Sequence, residues 1–201
     1  MHRLALKRSL LIICLSFALG QIAYAQDLTR DLTVAAGSTI EVVNKYGRVG
    51  AGAVAPIAPD AGSAFQPGLT ASSARGVSER EIKITTTAGR VLITVTPTDK
   101  NKRIDLALVL PERANLKIEA SAGAVEIAGN FASVTALTDT GTIALDVPAD
   151  DLKYQFLWTE SRPRYLADFD IAAVKEKSGG RFEIKGRRSG EVKSKKAKVK
   201  R

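Results

Sequence analysis

Histidine and cysteine are the side chains that most often carry catalysis and bind metals, and this chain has one of each. They are His2 and Cys14, and both lie in the segment 1–25. If that segment is removed, a histidine general base, a cysteine nucleophile, a Cys/His zinc site, a haem-ligating histidine and a disulfide framework are all excluded. The sequence therefore predicts no metal site and no cofactor.

Carboxylates are the other residues that could carry chemistry, since polysaccharide-cleaving repeat proteins place two or more of them side by side on neighbouring coils. The internal copies described below allow this arrangement to be tested. Glu126, Asp139 and Asp146 each align with residues that are not acidic in the other copies. Asp150 and Asp151 are adjacent, and consecutive residues on a strand point to opposite faces. We therefore predict that the protein is not an enzyme.

Residues typical of recognition are concentrated in one stretch. Trp158, Arg162, Arg164 and Tyr165 form the candidate surface recognition site, because Trp, Tyr and Arg dominate binding energy at interfaces. The alternative is that Trp158 caps the end of a β core beside an exposed polar turn. The sequence leaves both interpretations open.

The formal charge of +9 is unevenly distributed. Residues 1–25 carry +3, residues 26–174 carry −3 and residues 175–201 carry +9. The body is thus mildly acidic, and the basic tail 193–201 is a candidate contact for an anionic surface, or else a solvated, disordered terminus. The cations of the tail are Lys193, Lys195, Lys196, Lys198, Lys200 and Arg201. No aromatic residue interleaves with them, so no nucleic acid partner is predicted.

Residues 1–25 have the pattern of a secretory signal peptide. Arg3, Lys7 and Arg8 precede an apolar run, and Ala23-Tyr-Ala25 supplies a cleavage site. The run is shorter than the roughly 20 residues that cross a bilayer, which disfavours the alternative of an uncleaved anchor. We expect an exported protein, located in the periplasm, at the outer membrane or outside the cell, with no transmembrane span after cleavage.

The elements that position these residues are set by an internal repeat. Each copy has an aliphatic residue seven positions before a glycine and a β-branched aliphatic residue two positions after it. The four copies span residues 40–49, 82–91, 116–125 and 134–143, with turn glycines Gly47, Gly89, Gly123 and Gly141. This pattern predicts a strand, a tight turn and a second strand, with alternate residues facing inward.

The repeat predicts an all-β fold, specifically a short-strand, β-helix-like β-solenoid with glycine turns and an irregular basic C-terminal tail. A β-sandwich is the alternative, because the spacing between copies is irregular. Residues 26–150 form the predicted domain, with a flexible Ala/Pro/Gly-rich insertion at 51–76. Residues 151–192 are predicted to complete or cap the β domain, and a looser fifth copy spans 182–192. Ile104 to Leu110 supply a further strand, stopped by Pro111.

The repeat resembles the putative adhesin domain of bacterial envelope proteins, whose unit is strand, Asn/Thr-x-x-Gly-x-Val/Ile, strand. The resemblance covers about residues 38–148 and is carried by Val42-Val-Asn44-Lys-Tyr-Gly47-Arg-Val49, Gly123-Ala-Val125-Glu-Ile127 and Asp139-Thr-Gly141-Thr-Ile143. Residues 154–165 also resemble the N-terminal region of secreted von Willebrand factor A-related proteins, although the Asp-x-Ser-x-Ser metal motif of that domain is not found. The resemblance implies an exported β-solenoid and transfers no catalytic residue.

The leading hypothesis is a non-enzymatic scaffold or adhesion module of the bacterial cell envelope. Its partner would be an envelope glycan, an anionic surface or a protein. One alternative is a polysaccharide-acting β-helix enzyme, which predicts a cleft with stacked carboxylates. The other is a tether that binds anionic surfaces through the basic tail, which predicts salt-sensitive binding that is lost when the tail is deleted.

Overall fold

A computed structural model describes residues 26–35, 37–55, 66–147 and 151–188 of the chain. Within these ranges the protein is all-β, as the sequence predicts, and its only helical element is a 3-10 turn, Glu79–Glu81. In the same ranges, no helix has the length and apolar character needed to span a membrane. The predicted signal peptide 1–25 and the basic tail 193–201 lie outside the described residues.

In the described ranges fifteen strands follow one another, and in most of them buried residues alternate with more exposed ones. Their bounds are β1 Leu28–Asp31, β2 Thr39–Tyr46, β3 Val49–Val54, β4 Gly68–Ser72, β5 Ile82–Thr87, β6 Arg90–Val95, β7 Asp105–Pro111, β8 Asn115–Ala122, β9 Ala124–Ala128, β10 Ser133–Thr138, β11 Thr142–Asp146, β12 Leu152–Trp158, β13 Tyr165–Ala167, β14 Lys175–Lys177 and β15 Arg181–Arg188. The alternation is strict in β6 and β10, where every second side chain is buried. Such strands expose one face to a core and the other to solvent.

The strands form two mixed sheets. The first sheet has seven strands in the order β1-β4-β7-β3-β9-β11-β13, and the second has eight in the order β14-β15-β12-β10-β8-β2-β6-β5. Parallel pairing runs from β7 to β13 in the first sheet, and β4 and β1 are antiparallel at its other end. In the second sheet the parallel strands lie in the middle, and antiparallel pairs form both ends.

Three of the four sequence copies are equivalent in the structure. Each places its first strand in the second sheet and its second strand in the first sheet, as β2–β3, β8–β9 and β10–β11. The register matches the repeat alignment, since Ile40 pairs with Leu116 and Leu116 pairs with Val134. Local alternation around a fixed glycine therefore indicates the strands, and the copies stack in the register of their alignment.

The copy at residues 82–91 differs from the other three. Its two strands, β5 and β6, form an antiparallel hairpin in which Ile82 pairs with Val95, with Gly89 in the turn. Strand β6 then pairs in parallel with β2, and β7 pairs in parallel with β3. Residues 96–104 connect β6 to β7 in place of a glycine turn. The strand predicted before Pro111 is present as β7, and Pro111 is its last residue.

Two segments described from composition contain regular strands. Within the predicted insertion 51–76, β3 continues to Val54 and β4 pairs antiparallel with β7, while residues 56–65 lie outside the described residues. Within 151–192, β12 pairs in parallel with β10 and β15 pairs antiparallel with β12. The looser fifth copy is thus wrong as a further parallel unit for its described part, because β15 runs in the opposite direction.

The core is a layer of aliphatic side chains between the two sheets. Its largest fully buried members are Trp158, Phe131, Phe156, Ile40, Leu69, Ile93, Ile104, Leu110, Leu116, Ile118, Ile127 and Ile143. Burial of each such aliphatic or aromatic side chain contributes about 1.5–3 kcal/mol. Because the inward positions are occupied by this layer, the candidate sites lie on the outer faces and at the turns.

Candidate functional site

Three of the predicted turn glycines are stacked in one column at the edge where the strand pairs turn. A Cβ placed on Gly123 would lie 2.8 Å from the carbonyl carbon of Gly47, and one on Gly47 would lie 2.7 Å from that of Ile104. On Gly141 it would lie 2.6 Å from the hydroxyl oxygen of Thr138. These backbones approach too closely for any side chain. By contrast, Gly89 has open space around it and a φ of +72°, as a hairpin turn requires.

Polar side chains hold the column at both ends. The Asn44 amide donates to the Ile104 carbonyl at 2.8 Å, and the Trp158 indole N–H donates to the Gly141 carbonyl at 3.0 Å. The Thr138 hydroxyl accepts a hydrogen bond from the Gly141 N–H at 2.9 Å. The Asn or Thr three residues before the glycine in the repeat therefore satisfies backbone groups at the turn.

The fold does not keep the four residues of the candidate recognition site together on the surface. Trp158 is 0% exposed, so its assignment as a surface residue is wrong, and the alternative of a cap on the β core describes its position. Tyr165 is half-buried, with its ring centroid 6.3 Å from that of Trp158. Arg162 and Arg164 are exposed, and Arg164 donates to the Thr140 carbonyl. The Trp is buried because its position on β12 aligns with the inward Thr138 of β10.

A shallow groove of about 480 Å³ crosses the outer face of the first sheet. Its floor consists of residues with little or no side chain, namely Gly50, Gly52, Ala107, Ala128 and Ala144. Leu166, which pairs with Ala144 in the register, is 70% exposed at one end of this face. Most of the groove floor is therefore made of small residues, and a large exposed apolar side chain lies at one end of the face.

Two carboxylates line the same groove. Glu126 pairs with Ala144 and Asp146 pairs with Ala128, so the two acids stand on adjacent strands but two register positions apart. Glu126 forms an exposed ion pair with Arg48. Among the described ranges, no group of three or more metal-ligating side chains is present. Glu126 lies within the floor, between Gly50 and Ala144 in the register, and Asp146 lies beside Ala128 on the neighbouring row.

The outer face of the second sheet carries a ladder of ion pairs. Glu41 lies between Arg90 and Lys117, and Lys117 also pairs with Glu119 at 2.8 Å. The hydrogen bond from Lys117, followed by that from Arg90, lowers the pKa of Glu41. Glu41 and Lys117 stand directly opposite each other, as the repeat alignment predicts. Lys83 occupies the same position in the copy 82–91, but it lies on β5 opposite Thr94.

A second pocket lies at the other end of that face and was not predicted from the sequence. It has a volume of about 280 Å³ and is lined on its polar side by Ser133, Thr135, Lys153, Gln155, Lys185 and Arg187. These residues come from β10, β12 and β15. The repeat alignment could not have found the pocket, because β15 joins the sheet antiparallel to the repeat.

Sequence reasoning also missed a buried ion pair beside the connection 96–104. The Glu81 side chain is 0% exposed and accepts from Lys102 at 2.6 Å, from the Ser78 N–H and from both the N–H and the hydroxyl of Thr98. Burial by itself raises the pKa of Glu81, but these hydrogen bonds outweigh burial and lower the pKa to about 2. The pair anchors the loop that replaces a glycine turn.

No family model matches the chain, and no curated protein matches it. The solved structures that are similar include the following three. A putative cell adhesion protein from Clostridium sporogenes has a TM-score of 0.39 at 13% identity, with 85% of this chain and 90% of that chain covered. A putative lipid binding protein from Parabacteroides distasonis has a TM-score of 0.33 at 12% identity, with 64% and 62% covered. A putative adhesin from Bacteroides fragilis has a TM-score of 0.27 at 11% identity, with 72% and 95% covered.

Proposed function

We propose that this protein is an exported, non-enzymatic β-solenoid that works as a scaffold or adhesion module at the bacterial cell envelope. Its binding surfaces are the outer faces of the two sheets and the turns between them. Binding occurs through many weak contacts along these faces rather than in one deep pocket. The partner class is an envelope glycan, an anionic surface or a protein of the envelope.

The observation that carries this proposal is the stacking order of the strand pairs. The order β6, β2, β8, β10, β12 in the second sheet is matched by β7, β3, β9, β11, β13 in the first. In the proposed solenoid each pair of consecutive strands is one coil, and the parallel pairing would stack the coils. This strand order supports the proposal, because a solenoid is a stack of coils that share one continuous core and display regular outer faces.

The outer faces support a binding role because they are long, ordered and chemically distinct. The groove on the first sheet is lined mainly by small residues such as Gly52 and Ala128, whereas the face of the second sheet carries a series of ion pairs around Glu41 and Lys117. Strand pairing fixes the backbone beneath both faces, so a partner would meet a rigid surface. A rigid surface reduces the entropy that is lost on binding.

The test is co-sedimentation of the protein with purified envelope fractions at low and high salt, with and without residues 193–201. We expect part of the binding to survive both high salt and deletion of the tail, because apolar and neutral contacts on the sheets are not screened. Ala144→Trp fills the groove from the solvent side and should reduce this salt-resistant part. Thr85→Trp, at an exposed position of the edge strand β5 in the second sheet and away from the groove, is the matched control and should leave this groove-dependent part unchanged.

Complete loss of binding on deletion of residues 193–201 would contradict the proposal, because the tail would then be the active element. Release of the envelope fraction by cleavage of its polysaccharide would also contradict it and would favour the enzymatic alternative. In the first case the strand pairs would act only as a spacer, and in the second they would be the scaffold of an active site.

A further inference from the structure

The pocket between β10, β12 and β15 has a regular construction, and it is called the β12–β15 pocket below. Its polar residues form two rows that cross the three strands. The first row is Ser133, Lys153 and Arg187, and the second is Thr135, Gln155 and Lys185. Residues that are paired directly across strands stand side by side on one face of a sheet. Each row thus presents a hydroxyl, then the side chain from β12, then a cation from β15.

Two of the three cations of the pocket have no carboxylate partner in the described ranges. Lys153 and Lys185 are exposed, and neither forms an ion pair with any residue in the described ranges. Arg187 differs, because Asp151 accepts two hydrogen bonds from it at 2.7 and 2.9 Å. The other nearby carboxylate, Glu183, is held by Lys177 at 2.8 Å. The two carboxylates around the pocket are therefore already paired, and the lysine ammonium groups remain available.

The strands around the pocket form a positively charged end of the sheet. Strands β12, β14 and β15 carry two carboxylates, Glu176 and Glu183. Their cations on the outer face are Lys153, Lys175, Lys177, Arg181, Lys185 and Arg187, whereas Arg188 alternates to the opposite face and pairs with Asp168. Like charges concentrated on one face raise the local potential and attract anions. The stability of the sheet does not require this excess, since directly opposed like charges weaken strand pairing.

The neutral residues of the pocket are suited to sugar hydroxyl groups. Ser133 donates its hydroxyl hydrogen to Asn115 at 2.6 Å, and Gln155 donates to Glu183 at 2.7 Å, so their side-chain oxygens remain acceptors. The exposed large hydrophobic residues of the described chain are Tyr46, Val54, Val109, Leu166 and Val174, and none of them lines the pocket. A surface with cations and hydroxyls but no apolar anchor favours a hydrated polyanion over a bilayer.

We infer that the β12–β15 pocket binds an anionic glycan, a polysaccharide that carries phosphate or sulfate groups. The oxyanion lies between the ammonium groups of Lys153 and Lys185, where it accepts charge-assisted hydrogen bonds. The hydroxyl groups of the adjoining sugar contact the Thr135, Ser133 and Gln155 side chains. This site belongs to the folded body of the protein and does not depend on the basic tail.

The test compares two charge-reversal variants of the full chain. K153E/K185E reverses the pocket, while K45E/K83E makes the same change of charge at two exposed lysines on the outer face of β2 and β5. Binding of dextran sulfate is measured by calorimetry at low salt, with uncharged dextran as the reference. We expect K153E/K185E to lose affinity about tenfold or more and K45E/K83E to change by less than about twofold.

Two further measurements distinguish a glycan from a lipid as the source of the anion and test the role of the tail. Vesicles of phosphatidylcholine with phosphatidylglycerol should bind more weakly than dextran sulfate, and deletion of 193–201 should leave the loss caused by K153E/K185E in place. Wild-type affinity in K153E/K185E, equal losses in both double variants, or a preference for the vesicles would each overturn the inference. Since all four lysines are exposed, circular dichroism should be unchanged, and K153Q/K185Q provides a milder variant. The salt-resistant binding of the proposed function would be unaffected by failure of this site.

Discussion

Replacement of Gly123 by alanine should destabilise the protein far more than an ordinary Gly-to-Ala change. Gly123 has a φ of +129°, and its added Cβ would lie 2.8 Å from the carbonyl carbon of Gly47. Two carbon atoms pack at about 3.5–4.0 Å, so one strand pair must move by close to 1 Å from the next. A shift of this size disrupts hydrogen bonds between β8 and β2, which pair along most of their lengths.

The magnitude follows from two separate costs. A non-glycine residue in an unfavourable positive-φ conformation costs about 1–2 kcal/mol, and overpacking of a close backbone contact costs about 1–3 kcal/mol more. We expect G123A to lower the free energy of unfolding by about 2–5 kcal/mol. For a domain of this size, that corresponds to a fall of about 5–15 °C in the melting temperature.

The assay is thermal and urea unfolding followed by the fluorescence of Trp158, the sole tryptophan, which is buried. Gly89→Ala is the matched control, because Gly89 also has a positive φ, of +72°, but open space around it. We expect G89A to lose only about 1–2 kcal/mol. Equal losses for G123A and G89A would refute the close-approach argument, because only backbone conformation would then matter.

Two further predictions concern polar groups in the core. The folded pKa of Glu81, about 2, lies below its value of 4.5 in the absence of these contacts, so its stabilisation is complete above pH 4.5 and is lost as the pH falls towards 2. The shift corresponds to about 3 kcal/mol of stability. Unfolding measured at a series of pH values should show this loss of stability in the wild type and not in E81Q. An acid transition in E81Q that equals that of the wild type would contradict the prediction. Trp158→Phe removes the donor to the Gly141 carbonyl and should lower stability by about 1–3 kcal/mol, measured by circular dichroism. A melting temperature within 1 °C of the wild type would count against a role for this hydrogen bond.

Predictions from sequence succeeded where the controlling interactions are local or repeat with a fixed period. The spacing from Ile40 to Gly47, and its recurrence from Leu116 to Gly123, predicted the strands and the turns between them, and the two copies pair in the register of that alignment. The site predictions were less successful. Trp158 was chosen for its residue type, but its exposure depends on the strand beside it, and β10 places it on the inward face.

The sequence by itself determined the all-β class, the position of the glycine turns and the aliphatic inner layer, because alternation and the missing Cβ of glycine act over only a few residues. The tertiary structure decided the pairing of distant strands. It made residues 82–91 a hairpin and joined β6–β7 to the parallel stack. It also brought Lys185 and Arg187 beside Lys153 through the antiparallel β15. Direction and partner of a strand depend on non-local hydrogen bonds and core volume, and these quantities do not appear in any short stretch of sequence.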